Sequence, residues 1–414
     1  GNKGAVWVAR RVPDGYISGH ANAPRIRTFP LNDPDNTIYS PDVISFAREQ
    51  GYFEGQDKEF SFADTYSPDA FGKRRFCDAR VWCMFKRAAP SKDLPADWVL
   101  GDEDAEPVPL WIKPDRKLTV ADVMGFMRDH FQGTELDMTT DPGAGPYGLP
   151  YRWRPLTWKV GEEEYFNERA VSTQQTGFSF VAQSRSNLPD PIGGVLWYGV
   201  DDTNSTVYFP VYAGVTAVPH AFAQGTGGFH DVDLDAAFWR FNQVSNFAYL
   251  RYSDMIQDIH KVQSELEGRF LSEQHEIDQA AVALMEQSPR LAREYLTDYT
   301  RNSGEDVMAR WKDLSDFLLY RYLDGNVKDA QGKVTHPGYP ESWYQEVAAS
   351  TGERLQMRRM PAELALKAEE KAKAKKIAQA VFTLLDGRGV EVDDETRSAI
   401  EAVEDPGEVE EMLV

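Results

Sequence analysis

Four polar side chains crowd the stretch "GYISGHANAPRIRTFP" (15–30): His20, Asn22, Arg25 and Arg27. An asparagine amide donates to a developing oxyanion without titrating. A guanidinium presents a fork of N–H groups that matches a carboxylate. Similar sets recur along the chain: Arg74 and Arg75 in "RRFCDARVW", Arg152 and Arg154 in "YRWRP", and Asn167, Arg169, Thr173, Gln174 and Gln175 in "NERAVSTQQTGF". Together they point to a site for small anionic, amide-bearing molecules. Taken singly, each reads first as a surface ion pair or a turn hydrogen bond, and it is the set that is telling.

Other chemistries leave no comparable pattern. Seven histidines are scattered, with no H-E-x-x-H and no histidine ladder near a cysteine pair, so the sequence calls for no metal. No G-x-G-x-x-G, P-loop or G-x-S-x-G motif occurs, and no cofactor is implied. Cys77 and Cys83 lie six apart, too few for a disulfide framework and off one helix face. Cys77, beside Phe76 and Ala79, reads as a small buried hydrophobe rather than a nucleophile.

The elements that must carry these residues follow from pattern. Two strands flank the turn "PDG" (13–15). "SPDVISFAREQGYF" (40–53) predicts a short helix with Ser40 as cap, Pro41 in its first turn and Gly51 at its close. Helical spacing runs over 72–87, and Thr119 with Asp122 forms a capping-box-like start for a helix over 117–131. The Gly/Pro-punctuated stretch 132–155 reads as a functional loop. From 168 the pattern is three strands of an antiparallel meander. Beyond 233 it is helical, with one amphipathic helix from Phe238 to Val262 and others at 270–300, 304–324 and 361–387. The acidic tail past Gly387 reads as a solvated helical appendage.

A chain of 414 residues with 42% hydrophobic content supports a large core, and a formal charge of −21 disfavours a nucleic-acid partner. No apolar run is long enough to span a membrane. Compartment stays open, as does assembly into a homo-oligomer.

Several long stretches carry a resemblance: "WVARRVPDGYISGHANAPRIRTFPL", "YSPDVISFAREQGYF", "RFCDARVW", "RDHFQGTELDMT", "YRWRPLTW", "NERAVSTQQTGFSFVAQSR" and "AFWRFNQVSNFAYLRY". In this order they resemble the bacterial PepD-type dipeptidases, cysteine-type N-terminal-nucleophile (Ntn) hydrolases, over about residues 4–350. The resemblance implies an α+β fold with an αββα sandwich, dipeptide substrates, and an N-terminal cysteine whose own amine is the general base. Residue 1 is glycine, so the chain is expected to be the larger C-terminal portion, without the nucleophile and inactive alone. The expected organisation is an Ntn core over 1–232, a helical region over 233–350 and a charged helical tail over 351–414.

In more distant cysteine-type Ntn acylases an asparagine followed by x-Pro holds the tetrahedral intermediate, which "HANAP" offers as Asn22. An Arg-Phe at a helix start lies near the nucleophile there, a role implied for Arg75. Arg25 or Arg27 is expected to clamp the substrate carboxylate, with Gln174 and Gln175 bordering the cleft and Asp78, Glu168 or Asp201 as the amine partner. Two other readings stand beside this one: an amide hydrolase of acylated amines on the same fold, and a non-catalytic interaction module.

Overall fold

The computed structural model describes residues 5–357 and 362–411. It divides into two compact units, residues 1–340 and 341–414, and the fold mixes helix and sheet.

The first 176 residues are held together by short strands and several small cores rather than by one broad sheet. Strands β1 (Val8–Arg10) and β2 (Ile17–Ser18) do flank the "PDG" turn, where Gly15 takes a positive φ. They do not pair with each other. β1 pairs with β3 (Thr37–Tyr39), Val8 opposite Tyr39, and β2 pairs with β4 (Trp111–Ile112), Ile17 opposite Ile112. Long-range partners win because two and three residues bury too little apolar surface as an isolated hairpin.

The helix over 40–53 is shorter than its signals suggest, running only over Ser45–Glu49 with Ile44 at its start. Ser40 is engaged elsewhere: its Oγ accepts from the Trp7 N–H at 3.2 Å, tying the end of β1 to this loop. Further on, Phe71–Lys73 leads into a wide π-turn over Arg74–Asp78 and then into the helix Ala79–Ala88. The Ala79 N–H reaches back five residues to the Arg74 carbonyl. The capping box at Thr119 and Asp122 forms as read, opening the helix Val120–Met127.

The expected meander is present. β7 (Phe178–Ser184), β8 (Gly194–Val200) and β9 (Phe209–Tyr212) form an antiparallel sheet in that order, preceded by an exposed hairpin of β5 (Thr157–Val160) and β6 (Glu163–Phe166). Alternation puts Ser179, Val181, Val195 and Trp197 on the buried face, while Phe178 and Phe180 lie on the open one. The buried face packs on the helices Ala237–Leu250, Tyr252–Gln287 and Pro289–Tyr322 in the largest core, which includes Phe241, Ile259, Phe270, Leu296 and Trp311.

Two boundaries in that helical run differ from the periodicity. The stretch 238–262 is not one helix, because Arg251 leaves helical geometry at φ −151°, ψ 63°. Its buried guanidinium holds Asp254 and the Gly325 carbonyl and lies near the Tyr147 ring, contacts that a continuous helix would not bring together. The later helices are also longer than their separate signals, and the break falls at Ser288–Pro289. There Ser288 Oγ accepts from the Arg290 N–H and proline occupies the first turn.

The second unit holds the helices Glu341–Thr351, Ala362–Gly387, Asp394–Glu401 and Pro406–Glu411. Pro361, where the sequence starts the long helix, lies outside the described residues. Ala374, Ala378, Phe382, Ile400 and Val409 are buried together. The acidic tail is therefore more than a solvated appendage, since two of its apolar residues close a small core. No described helix is long and apolar enough to cross a membrane.

Candidate functional site

Asn22 stands in an exposed loop just past β2, with φ at +63°. Asparagine tolerates this left-handed conformation better than most residues. Its side-chain partner is Arg80, from the first turn of the helix Ala79–Ala88. Arg80 Nη2 donates to Asn22 Oδ1 at 2.8 Å and to the Ala21 carbonyl at 3.3 Å, while Nε donates to the Phe76 carbonyl at 2.8 Å. A guanidinium only donates, so the amide oxygen must face it and the amide N–H groups must face away. The asparagine is thereby oriented as a donor. Burial holds the Arg80 guanidinium below its ordinary range, and the nearby positive charge of Arg169 adds to this. Cys77 is half-buried and close enough to Arg80 to act on its charge.

Sequence reasoning missed Arg80. It lies 58 positions from Asn22 and five beyond Arg75, and five residues do not share an α-helical face. The signal available was its place in "RRFCDARVW", where a third arginine follows the pair already singled out.

Arg75 lies on the π-turn and pairs with Glu168, which follows the β5–β6 hairpin. Nη2 bonds Glu168 Oε1, Nη1 donates to the Val99 carbonyl at 3.0 Å, and the guanidinium lies 5.2 Å from the Phe166 ring centre. Arg75 Nε and Glu168 Oε2 are both buried without a hydrogen-bond partner. Burial pushes the Glu168 carboxyl up, and Arg75 pulls it back down.

The remaining residues singled out in the sequence fall elsewhere. Arg25 is turned inward. Its Nη1 donates to the Gly19 carbonyl at 3.1 Å, Nη2 to those of Val108 and Pro109 at 2.8 and 2.7 Å, and Nε lies 3.5 Å from Asp78 Oδ1. Those contacts occupy the groups a substrate carboxylate would need. Arg27 is exposed, 3.6 Å from Asp64 and 5.9 Å from the Trp98 ring centre. Gln174 donates to the Arg152 carbonyl at 2.8 Å, and Gln175 accepts from Thr173 Oγ1 at 3.1 Å. Gln174 therefore braces the loop through Arg152, and Gln175 holds its own turn. Asp78 is buried between Arg25 and Trp98, whose Nε1 donates to it at 3.0 Å. A cleft of about 400 Å³ runs along the same N-terminal stretch, lined by Trp7, Arg10, Ser18, His20, Arg25 and Phe62.

Cys83 is buried and its thiol donates to Asp129 Oδ1 at 3.0 Å. Burial first, then the Asp129 charge, pushes that thiol far above its usual range, so it holds its proton at neutral pH.

A second polar cluster is wholly interior. Asp202 Oδ1 accepts from Tyr151 OH at 2.6 Å, Ser172 Oγ at 3.0 Å and the Asn204 N–H at 3.1 Å, and Oδ2 accepts from Tyr249 OH at 2.9 Å. His130 Nε2 meets Tyr151 OH at 2.7 Å, and burial pushes the imidazole down to about 4, so it is neutral. The neighbouring Asp201, at φ +68°, accepts from Ser245 Oγ at 2.6 Å, and burial pushes its carboxyl up to about 7. Among the described residues no group of three or more His, Cys, Asp or Glu is arranged to hold a metal ion.

An amide oriented by an arginine and an arginine–glutamate pair with an unused acceptor both suit recognition of a carbonyl and its polar neighbours. Comparison with known proteins supplies the class: the chain belongs to peptidase family C69, whose family model matches residues 2–265. Its relatives narrow the class further. A probable dipeptidase of Salmonella dublin is 30% identical over 212 residues, covering 51% of this chain and 43% of that protein. A probable dipeptidase of Latilactobacillus sakei is 28% identical over 193 residues, 47% of this chain and 35% of the relative. Dipeptidase A of Lactobacillus helveticus is 22% identical over 335 residues, 77% of this chain and 62% of the relative. The chain thus spans less than half the length of the first two.

Proposed function

We propose that the protein is a dipeptidase of the cysteine-type Ntn class on an αββα frame, and that this chain supplies its oxyanion and substrate-recognition side. Membership of a peptidase family and the dipeptidase names of its relatives support the reaction class. The observation that carries the assignment to residues is the Arg80–Asn22 contact.

When a nucleophile adds to a peptide carbonyl, negative charge develops on the oxygen, and a fixed donor lowers the barrier most. Asn22 is such a donor. Arg80 accounts for the amide's direction, and the left-handed backbone lifts the side chain clear of β2. Arg80 adds positive charge close by, and its burial strengthens that field. Arg75 lies five residues away on the wide turn and belongs to the recognition side through Glu168. Gln174 supports the loop that carries Arg152, and Gln175 caps the turn at Thr173. Arg25 holds β2 against the segment 108–110, while Arg27, the exposed arginine of the pair, remains the candidate for a substrate carboxylate. The attacking thiol is not assigned to Cys83, which is buried and protonated, nor to Cys77, which faces Arg80 from the turn.

The test is Asn22→Gly, which keeps the left-handed backbone at no steric cost and removes only the amide. In the protein hydrolysing an unblocked dipeptide, kcat should fall by about 10²–10³, the cost of one oxyanion donor, with KM and thermal midpoint little changed. An unaltered kcat would remove Asn22 from the mechanism.

A further inference from the structure

We infer that Glu168 is the acceptor for the free ammonium end of the substrate, held in place by Arg75 as a positioning residue. The inference rests on the dipeptidase reading and names the part of the substrate that this flank of the site recognises.

The geometry is that of an ion pair left half open. A guanidinium and a carboxylate ordinarily close side by side through two parallel hydrogen bonds. Here one is made, between Nη2 and Oε1, while Arg75 Nε and Glu168 Oε2 are left without partners. Only six buried side-chain polar atoms among the described residues are in that state, and two belong to this pair. Both side chains are largely buried, at 11% and 15% exposure, where an unused acceptor is costly.

Oε2 is a negatively charged acceptor with a vacant lone pair, and it suits a cationic donor. An ammonium brings three N–H groups and a charge opposite to that of the carboxylate, so the carboxylate then bridges two cations. A free carboxylate would be repelled, and an acylated amine brings one uncharged N–H. The aromatic wall completes the setting. Phe166 packs edge-on against Phe71 and Phe76 at 4.8 and 6.1 Å beside the pair, whose Arg75 Nε and Glu168 Oε2 are closed to solvent. Burial raises the Glu168 carboxyl, Arg75 offsets part of that, and a second cation at Oε2 would favour the ionised form further.

Placement relative to the reacting carbonyl follows from the chain. Arg169, the next residue, acts electrostatically on Arg80, and Arg80 holds Asn22. Glu168 is thus next in sequence to a residue whose charge reaches the arginine that orients Asn22. An enzyme that fixes an amino terminus there admits unblocked substrates and discriminates against capped ones.

The experiment compares hydrolysis of an unblocked dipeptide with that of its N-acetylated form by the whole protein and its variants, with thermal midpoints recorded alongside. The wild type is expected to favour the unblocked form. Glu168→Gln, close to isosteric, should raise KM for the unblocked dipeptide by about 10- to 100-fold, the scale of a lost hydrogen bond to a charged group. It should leave kcat and the acetylated substrate nearly unchanged, so the preference collapses. Glu168→Asp, which keeps the charge, should retain the preference. That contrast separates ammonium recognition from a merely structural role even if Glu168→Gln melts early. If Glu168→Gln keeps the wild-type KM and preference, the pair holds water and the inference is overturned while the dipeptidase reading stands. If the wild type cleaves neither substrate, the dipeptidase reading falls and takes the inference with it.

Discussion

The Asn22 region and the Asp202 cluster are both rich in polar side chains, and they are built to opposite ends. Around Asp202 the hydrogen bonds converge: four donors from Tyr151, Ser172, Asn204 and Tyr249 fill one carboxylate that is 1% exposed. Around Asn22 and Arg75 they stop short: an exposed amide is oriented but not consumed, and a buried pair leaves a donor and an acceptor idle. Satisfied interior networks rigidify a fold, while oriented but unfilled groups await a ligand. By that measure Asp202 belongs to stability, while Asn22 keeps the role proposed for it above. Arg25 sits with the first class despite lying three residues from Asn22.

The comparison can be broken from its stable side first. Asp202→Ala strands three buried donors and a partly buried one and should destabilise the 1–340 unit by about 4 kcal/mol, read by denaturant unfolding. A loss below about 1 kcal/mol would mean the cluster is not the clasp it looks to be. Next in size, Arg25→Met frees four backbone carbonyls, those of Gly19, Val108, Pro109 and Leu110, and unpairs Asp78. It should cost about 3 kcal/mol in the same measurement. A variant with wild-type stability and a raised KM would instead return Arg25 to the substrate.

The smallest effect is in pH, because two groups oppose each other. Asp201 has a folded pKa near 7, above its unfolded value near 4. The stability it gives is complete below pH 4 and is lost as pH rises through 7. His130 runs the other way: with a folded pKa near 4, below about 6.5 when unfolded, its contribution is complete above pH 6.5 and is lost as pH falls through 4. Each slope is at most about 1.4 kcal/mol per pH unit, and between pH 4 and 6.5 they largely cancel. Asp201→Asn should leave stability rising with pH across that window, and His130→Gln should leave it falling. Parallel profiles for the two variants would show that the groups do not titrate as assigned.

Much of the frame was legible in local pattern: the meander of β7 to β9, the capping box at Thr119 and the long helices are governed by neighbours within a few residues. Asn22 was singled out through the resemblance carried by "HANAP" rather than through periodicity. What escaped were contacts made across the chain. Arg80 meets Asn22 over 58 positions, and Asp202 gathers Tyr151 from 51 positions before it and Tyr249 from 47 after it, distances over which no periodicity carries information. The Arg251 break escaped because its cause, a buried guanidinium between elements, is tertiary. Arg25 misled for the opposite reason, since its type fits a substrate clamp and only its neighbours show that it is taken.

The wide turn at Arg74–Asp78 sets an angle as well as a path. In a regular α-helix, residues five apart point about 140° away from each other, so Arg75 and Arg80 would diverge around the axis. A turn closed from Ala79 back to Arg74 takes up one more residue per revolution and brings positions five apart closer to alignment. The extra residue works as a phase shifter between Arg75 and Arg80. Their relative bearing is therefore encoded in chain length: removing a single residue here would leave a good helix while swinging the two guanidiniums out of register.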